Sequence, residues 1–346
     1  MLKIGVFGVG HLGKIHLKCI RELINMYDLV GFYDPNDVVA KKVADEFQIK
    51  AFDTPESLLQ AIDVADIVAP TPAHYGLAEL AIQQNKHVFI EKPLTHTLAE
   101  AEQLIVLQKK HPVHVQIGHV ERFNPAFLAV SEVALEPMFV EAHRLAIFNP
   151  RGTDVSVVLD LMIHDLDIVL SLVPHEVKQV HASGVAVVSD TPDIANARVE
   201  FVNGCVANFT ASRMSLKNMR KVRLFQKDAY ISMDFLNKST DIVRLFDAKN
   251  TDPQQRADLA ELDTGTGKKY LQFQQAKTKP VNAIQMELRT FAESIRTGEP
   301  PKVGLQEGYR ALKLAYRILD KIDGGQRTVN DGWRTVDGER YSNFFL

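Results

Sequence analysis

KIGVFGVGHLG, residues 3–13, reads as an apolar strand that runs into a glycine turn and the start of a helix. Gly8, Gly10 and Gly13 have the spacing of a dinucleotide-binding turn. Gly8 allows the tight turn, Gly10 lets the backbone approach a pyrophosphate, and Gly13 lets helix and strand pack closely. The helix start then offers unpaired N–H groups and the positive end of its dipole to the phosphates. Three glycines alone also fit an ordinary glycine-rich turn, so the neighbouring residues decide. Asp34 follows 21 residues after Gly13, at the end of the apolar run LVGFYD (29–34). A carboxylate there accepts both ribose hydroxyl protons. Its charge would repel a 2′-phosphate, and neither Arg nor Lys follows in DPND (34–37) to receive one. NAD is therefore expected in preference to NADP.

Outward from this turn, β-rich runs at 3–9, 29–34, 65–71, 87–92 and 113–119 alternate with amphipathic stretches such as 74–85 and 98–110. Strands alternating with helices imply βαβ units and a parallel sheet. The expectation is an α/β protein whose residues 1–119 form a doubly wound Rossmann domain. The pattern changes in 120–322. Helix candidates near 125–133 and at 157–173 precede strand-like runs at 180–188, 196–202, 205–213, 221–227 and 229–235. Turn-like joins such as VNG (202–204) and QKD (226–228) make this second, α+β domain a mostly antiparallel sheet. Helices at about 281–297 and 305–322 close it, and 323–346 reads as a polar tail without periodicity.

A chain of 346 residues allows about two domains. Forty Lys and Arg against 43 Asp and Glu leave a net charge of −3, so nucleic acid is not an expected partner. Cys19 and Cys205 are isolated and fit no metal spacing, which suits a reducing compartment. The N-terminus lacks the pattern of a signal peptide, and no uncharged apolar run approaches the roughly 18 residues of a membrane span. A cytoplasmic protein with no membrane partner is expected.

HVFIEKPL (87–94) places Glu91, Lys92 and Pro93 at the C-terminal end of a strand, the edge where open α/β sheets bind ligands. In VVLDLMIHDLDIVLSLV (157–173), a step of about 100° per residue gathers Asp160, His164, Asp167 and Ser171 into one narrow stripe. Asp165 points elsewhere, and apolar residues fill the remaining circumference. Asp160 could be a helix cap, and Asp165 or Asp167 a structural ion-pair partner. Asp160 and His164 could also be two metal ligands, but no third ligand follows at a recognisable spacing, so no metal is expected.

Together these residues resemble the glucose–fructose oxidoreductase / inositol dehydrogenase / MocA family. GVGHLG (8–13), TPAHY (71–75), EKP (91–93) and a helix with Asp160 and His164 four apart carry the likeness, which spans residues 3 to about 320. It implies a nicotinamide cofactor, hydride transfer at a sugar or polyol carbon, and a C-terminal open sheet that forms the contact of a homo-oligomer, dimer or tetramer. On the motifs, His11, Leu12, Thr71, Pro72, His74, Glu91 and Lys92 join the glycines and Asp34 in the cofactor site. The EKP lysine and the Asp/His helix would surround the reacting hydroxyl. His164 is the preferred general base, with Asp160 orienting it and Lys92 hydrogen-bonding the reacting oxygen. Lys92 as the base is the competing assignment.

Many members carry a glycine-rich run before this helix, whereas here the chain reads FNPRGTDVSVVLD (148–160). RFNPA (122–126) and the series Arg151, Asp154, Asp160, His164, Asp165, Asp167 look most like the UDP-N-acetylglucosamine 3-dehydrogenase branch. That likeness implies oxidation of a sugar 3-hydroxyl to a 3-keto nucleotide sugar. Guanidinium groups match a diphosphate, and Arg122, Arg144, Arg151, Arg213 and Arg220 lie where the substrate side should be. His119, Arg122, Arg151, Asp154 and Arg213 are the substrate-binding candidates. A free polyol, inositol or sugar would be served by the same Lys, Asp and His. A non-catalytic dinucleotide-binding regulator is disfavoured because Lys92 and His164 are both present.

Overall fold

Five strands build a parallel sheet: β1 (Leu2–Phe7), β2 (Tyr27–Tyr33), β3 (Val64–Ile67), β4 (His87–Glu91) and β5 (Val115–Gly118). Their order in this computed structural model is β2-β1-β3-β4-β5. The structure describes residues 1–149, 155–247, 259–265 and 267–332. Helices α1 (His11–Glu22), α2 (Asp37–Phe47), α3 (Pro55–Leu59), α4 (His74–Gln83) and α5 (Leu98–Gln108) connect the strands. Alternation along each strand sends side chains to opposite faces. Ile4, Val6 and Phe89 bury with Leu17 and Ile20 of α1, while Phe7, Ile67, Ile90 and Ile117 bury on the other face with Ala78, Ile82 and Leu104. Each such side chain contributes about 1.5–3 kcal/mol by leaving water. The helices start where polar caps allow. Asn36 accepts from the N–H groups of Val38 and Val39, and Thr54 and Thr97 each form a reciprocal capping box. Because β1 lies between β2 and β3, the chain winds in opposite senses from it, which opens a crevice at the C-terminal strand ends.

The second layer begins with α6 (Pro125–Leu128) and β6 (Phe139–Leu145). A π-helical turn, Val158–Met162, leads directly into α7 (Ile163–Leu172). Eight strands follow: β7 (Val177–Val185), β8 (Ile194–Phe201), β9 (Val206–Ser212), β10 (Met219–Phe225), β11 (Ala229–Asp234), β12 (Ser239–Asp247), β13 (Ala260–Thr264) and β14 (Gly267–Gln275). With β6 they form a nine-stranded sheet in the order β13-β14-β12-β11-β10-β6-β9-β8-β7. Its neighbours are antiparallel except for β6 beside β9. The α/β class, the Rossmann sheet and the large mostly antiparallel sheet are thus as expected.

Four details differ from the sequence reading. The helix expected over 125–133 is helical only through Pro125–Leu128. Strands β6, β12, β13 and β14 extend the sheet beyond the expected runs. The last helix, α9 (Leu305–Gly332), continues into the stretch expected to be a tail, and 333–346 lie outside the described residues. Finally, α8 (Ala283–Thr297) belongs to the first sheet although it comes late in the chain. Its Leu288, Phe291 and Ala292 bury against Ile4, Val6, Leu17 and Phe89. The Tyr27 hydroxyl donates to the Leu288 carbonyl at 2.8 Å, and Ile117 N–H donates to Val303 O at 2.9 Å. α9 then packs on α5, α7 and β7, tying the two sheets together. Among the described residues no helix is long and apolar enough to cross a membrane.

Candidate active site

The glycine turn has the shape its sequence demands. Gly8 has φ +92°, and a Cβ there would come within 2.7 Å of the Ala69 backbone. A Cβ on Gly13 would lie 2.1 Å from the Gly8 carbonyl oxygen, so only glycine lets α1 start this close to β1. Gly10 is open, with nothing within 4 Å of where its Cβ would be. α1 has no side-chain cap and no acidic residue in its first turn, which leaves its N–H groups free for an anion. At the end of β2, Asp34 Oδ2 accepts from Val9 N–H at 2.9 Å and Oδ1 from Asn36 N–H at 3.0 Å. The carboxylate is therefore fixed beside the turn with acceptor capacity left for ribose hydroxyls. His11 and Leu12 form the first residues of α1, with His11 exposed. Thr71 and Pro72 start the helical turn before α4. The His74 ring is buried, 2.9 Å from Pro93 O and 2.8 Å from Ala69 O, so it braces two loops at the crevice. This set fits a dinucleotide.

β4 ends at Glu91, and Lys92 emerges from the sheet edge toward the π-helical turn. Lys92 Nζ donates to the Asp160 carbonyl at 2.9 Å and lies 3.3 Å from its carboxylate Oδ1. The Lys92 side chain is 19% exposed and that of Asp160 is 43% exposed, so the pair sits at an accessible wall. His164 follows in the first turn of α7, its Nδ1 buried without a hydrogen-bond partner. Burial pushes the His164 pKa well below its ordinary value, and the cations of Lys92 and Arg144 push it further. The imidazole is consequently neutral at neutral pH, with a lone pair able to take a proton. Lys92 thus touches Asp160, in the turn that leads into the helix of His164. Asp160, expected to orient His164, instead has its carboxylate on Lys92.

Two buried ion-pair groups support this wall. Asp167 accepts from Arg122 Nε at 2.6 Å and Nη2 at 3.0 Å, and its Oδ2 lies 4.0 Å from His119 Nδ1. His119 is 1% exposed with neither ring nitrogen hydrogen-bonded, and burial lowers its pKa despite Asp167. Asp165 does point away from His164, into Arg144, which spans Asp165 at 2.8 Å and Glu121 at 2.9 Å. Burial alone would lower the Arg144 pKa, but these two carboxylates hold it above its ordinary value.

The arginines grouped by sequence on the substrate side therefore have different fates. Arg122 and Arg144 are engaged by Asp167 and by Asp165 with Glu121. Arg213 is buried, donates to the Val155 carbonyl and lies 3.8 Å from Asp193. Arg220 is half-exposed, 3.8 Å from Glu121. Arg151 and Asp154 lie outside the described residues. Glu91, expected at the cofactor, instead lies in a buried cluster behind Lys92, with Oε1 on His16 and Oε2 on the Lys92 amide; the other members, His16, Asp66 and Glu287, were missed by the sequence reading. The cluster's sequence signal was Asp66, a lone charge within the apolar run VADIVAP (64–70).

Comparisons with known proteins match both parts of the chain. Residues 2–119 match the oxidoreductase family with an NAD-binding Rossmann fold, and 138–231 match the GFO/IDH/MocA C-terminal domain. UDP-N-acetylglucosamine 3-dehydrogenase of Acidithiobacillus ferrooxidans is 40% identical over 242 residues, covering 70% of this chain and 76% of that protein. Its solved structure aligns with a TM-score of 0.82 at 33% identity, over 93% of this chain and 98% of that one. Myo-inositol 2-dehydrogenase of Thermotoga maritima is 26% identical over 341 residues, 93% of this chain and 96% of the relative. Two family models matched in order along the chain, together with a relative 40% identical over 76% of its own length, show that the chain belongs to the GFO/IDH/MocA oxidoreductase family.

Proposed function

We propose that this protein is an NAD-dependent dehydrogenase that oxidises the 3-hydroxyl of a UDP-N-acetylhexosamine to the 3-keto nucleotide sugar. The observation that carries the reading is the meeting of Lys92 with the Asp160 turn beside a neutral His164. NAD, when bound, supplies the hydride acceptor. The substrate carbon loses a hydride and its hydroxyl loses a proton, so the chain must hold the oxygen and take the proton. Lys92 donates a hydrogen bond to that oxygen and offsets its developing charge. His164 takes the proton, and Asp160 holds the Lys92 ammonium in place. The nucleotide-sugar substrate is supported by the 40% identity to UDP-N-acetylglucosamine 3-dehydrogenase.

A free inositol or polyol is the second reading, favoured by the likeness to myo-inositol 2-dehydrogenase along nearly the whole chain. Purified protein with NAD and a panel of UDP-N-acetylglucosamine, UDP-N-acetylgalactosamine, myo-inositol and free sugars separates the two. NADH absorbance should rise with a UDP-sugar, and borodeuteride reduction of the product should place deuterium at C3. Turnover of inositol or free sugars alone would replace the first reading with the second. Assembly into a homo-oligomer through the nine-stranded sheet belongs to the same proposal. It is supported by the contacting rings of Phe139, Phe225 and Tyr230, with Phe225 38% exposed.

A further inference from the structure

Between β3, β4, α1 and α8, on the face of the sheet away from α4 and α5, a set of ionisable side chains is buried that the proposed chemistry does not use. His16 of α1 is fully buried. Its Nδ1 lies 3.0 Å from Asp66 Oδ2, and its Nε2 lies 3.1 Å from Glu91 Oε1. The other oxygen of Glu91, Oε2, accepts from the backbone N–H of Lys92 at 3.1 Å. A continuous series of bonds therefore runs from β3 through α1 to the peptide that carries Lys92. Glu287 of α8 shares this region, with neither side-chain oxygen hydrogen-bonded. Space is also fitted to Glu91, because a Cβ on Gly118 would come within 2.8 Å of its carboxyl group.

Packing alone does not explain such a group. Buried charges cost free energy, and apolar side chains of similar volume often serve a core as well or better. Here both ring nitrogens of His16 are committed, one to an anchor in the sheet and the other to the side chain next to Lys92. Burial would lower the His16 pKa, but Asp66 and Glu91 raise it well above its ordinary value, so both nitrogens carry protons to donate. Cys19, one turn along α1, Tyr27, His74, His119 and Glu287 are further ionisable groups near His16, Asp66 or Glu91.

We infer that His16 is a positioning residue: held by Asp66, it clamps Glu91 against the Lys92 amide and so fixes where the Lys92 side chain leaves the sheet. The inference rests on the role proposed for Lys92 but not on the identity of the sugar. Its test uses the full chain carrying His16→Gln, Glu91→Gln, both together, and Asp66→Asn, which loosens His16 from the far end. In ¹⁵N-lysine-labelled protein, the Lys92 amide proton, assigned with Lys92→Arg, should move upfield in each single variant and no further in the double. With whichever substrate the parent turns over, kcat should fall about ten- to a hundredfold while NAD affinity and KM change little. The double variant should lose no more than the worse single, because both act through one path. A Lys92 amide unmoved by His16→Gln and Asp66→Asn, or kcat losses that multiply in the double, would overturn the inference. If His16→Gln does not fold, the Asp66→Asn amide shift decides alone. A parent that turns over no substrate would refute the proposed function, while the amide shifts still judge this one.

Discussion

Replacing His164 by Gln should flatten the acid side of the stability curve by a predictable amount. In the folded chain burial, then Lys92 and Arg144, keep the His164 pKa well below 6.5, whereas the unfolded ring takes a proton near that value. Between the two values the unfolded state binds the extra proton. Stability is therefore lost as pH falls through this window, by about 1.4 kcal/mol per pH unit for one group. The loss begins near pH 6.5 and continues downward for as long as the folded ring stays neutral. Gln keeps a polar side chain at the wall and cannot titrate, so this part of the slope disappears. His119 has the same sign and is present in both proteins. His16 has the opposite sign: its contribution is complete below 6.5 and is lost only as pH rises through its elevated folded pKa. It leaves the acid window unaffected. Urea unfolding of both proteins at half-unit steps from pH 5 to 8, read by linear extrapolation, measures the difference. Curves that stay parallel between pH 6.5 and 5 would show that His164 titrates alike in both states, and the neutral-base assignment would fall with them.

Three further outcomes follow from the site. Asp34→Ala removes a charged acceptor for ribose hydroxyls, which should weaken NAD binding by about 1.5–3 kcal/mol in calorimetry; an unchanged Kd would remove Asp34 from the site. Gly13→Ala puts a methyl group 2.1 Å from the Gly8 carbonyl oxygen, so NAD binding should be abolished or the protein lost from the soluble fraction, whereas parental affinity would show that the turn can open. Asp165→Ala strips Arg144 of one of two carboxylates in a buried setting and should cost about 3–5 kcal/mol, read as a lower urea midpoint. A midpoint within error of the parent would mean that water reaches Arg144.

The first sheet was legible because its signals are local. Glycine spacing, an acidic residue one strand later and short apolar runs each report on their own neighbourhood. The EKP lysine was legible for the same reason, since strand ends in such sheets face the ligand. Non-local features escaped. GKKYLQFQQ (267–275) packs few of its side chains, and a strand that is mostly exposed leaves little apolar alternation to read. On a regular wheel Asp160, His164, Asp167 and Ser171 form one seam, but the π-helical turn breaks the wheel at Asp160. The members of that seam then go to Lys92, to Arg122 and, for Ser171, to the Ile168 carbonyl. No spacing rule could pair Arg144 with Asp165 and Glu121, or His16 with Asp66 and Glu91. Those partners are brought together only when separate elements pack.

The return of α8 to the first sheet has a consequence for taking the molecule apart. The unit that would hold NAD is not contiguous in the chain: an excision at residue 119 leaves Ile4, Val6, Leu17 and Phe89 without Leu288, Phe291 and Ala292 above them. Such a fragment would expose an apolar face and lose the partner of the Tyr27 hydroxyl. A transplantable cofactor module must carry the α8 segment with it, joined by a new linker or by permuting the termini. Exchange of substrate halves between relatives is correspondingly a matter of two splice points, one after β5 and one before α8.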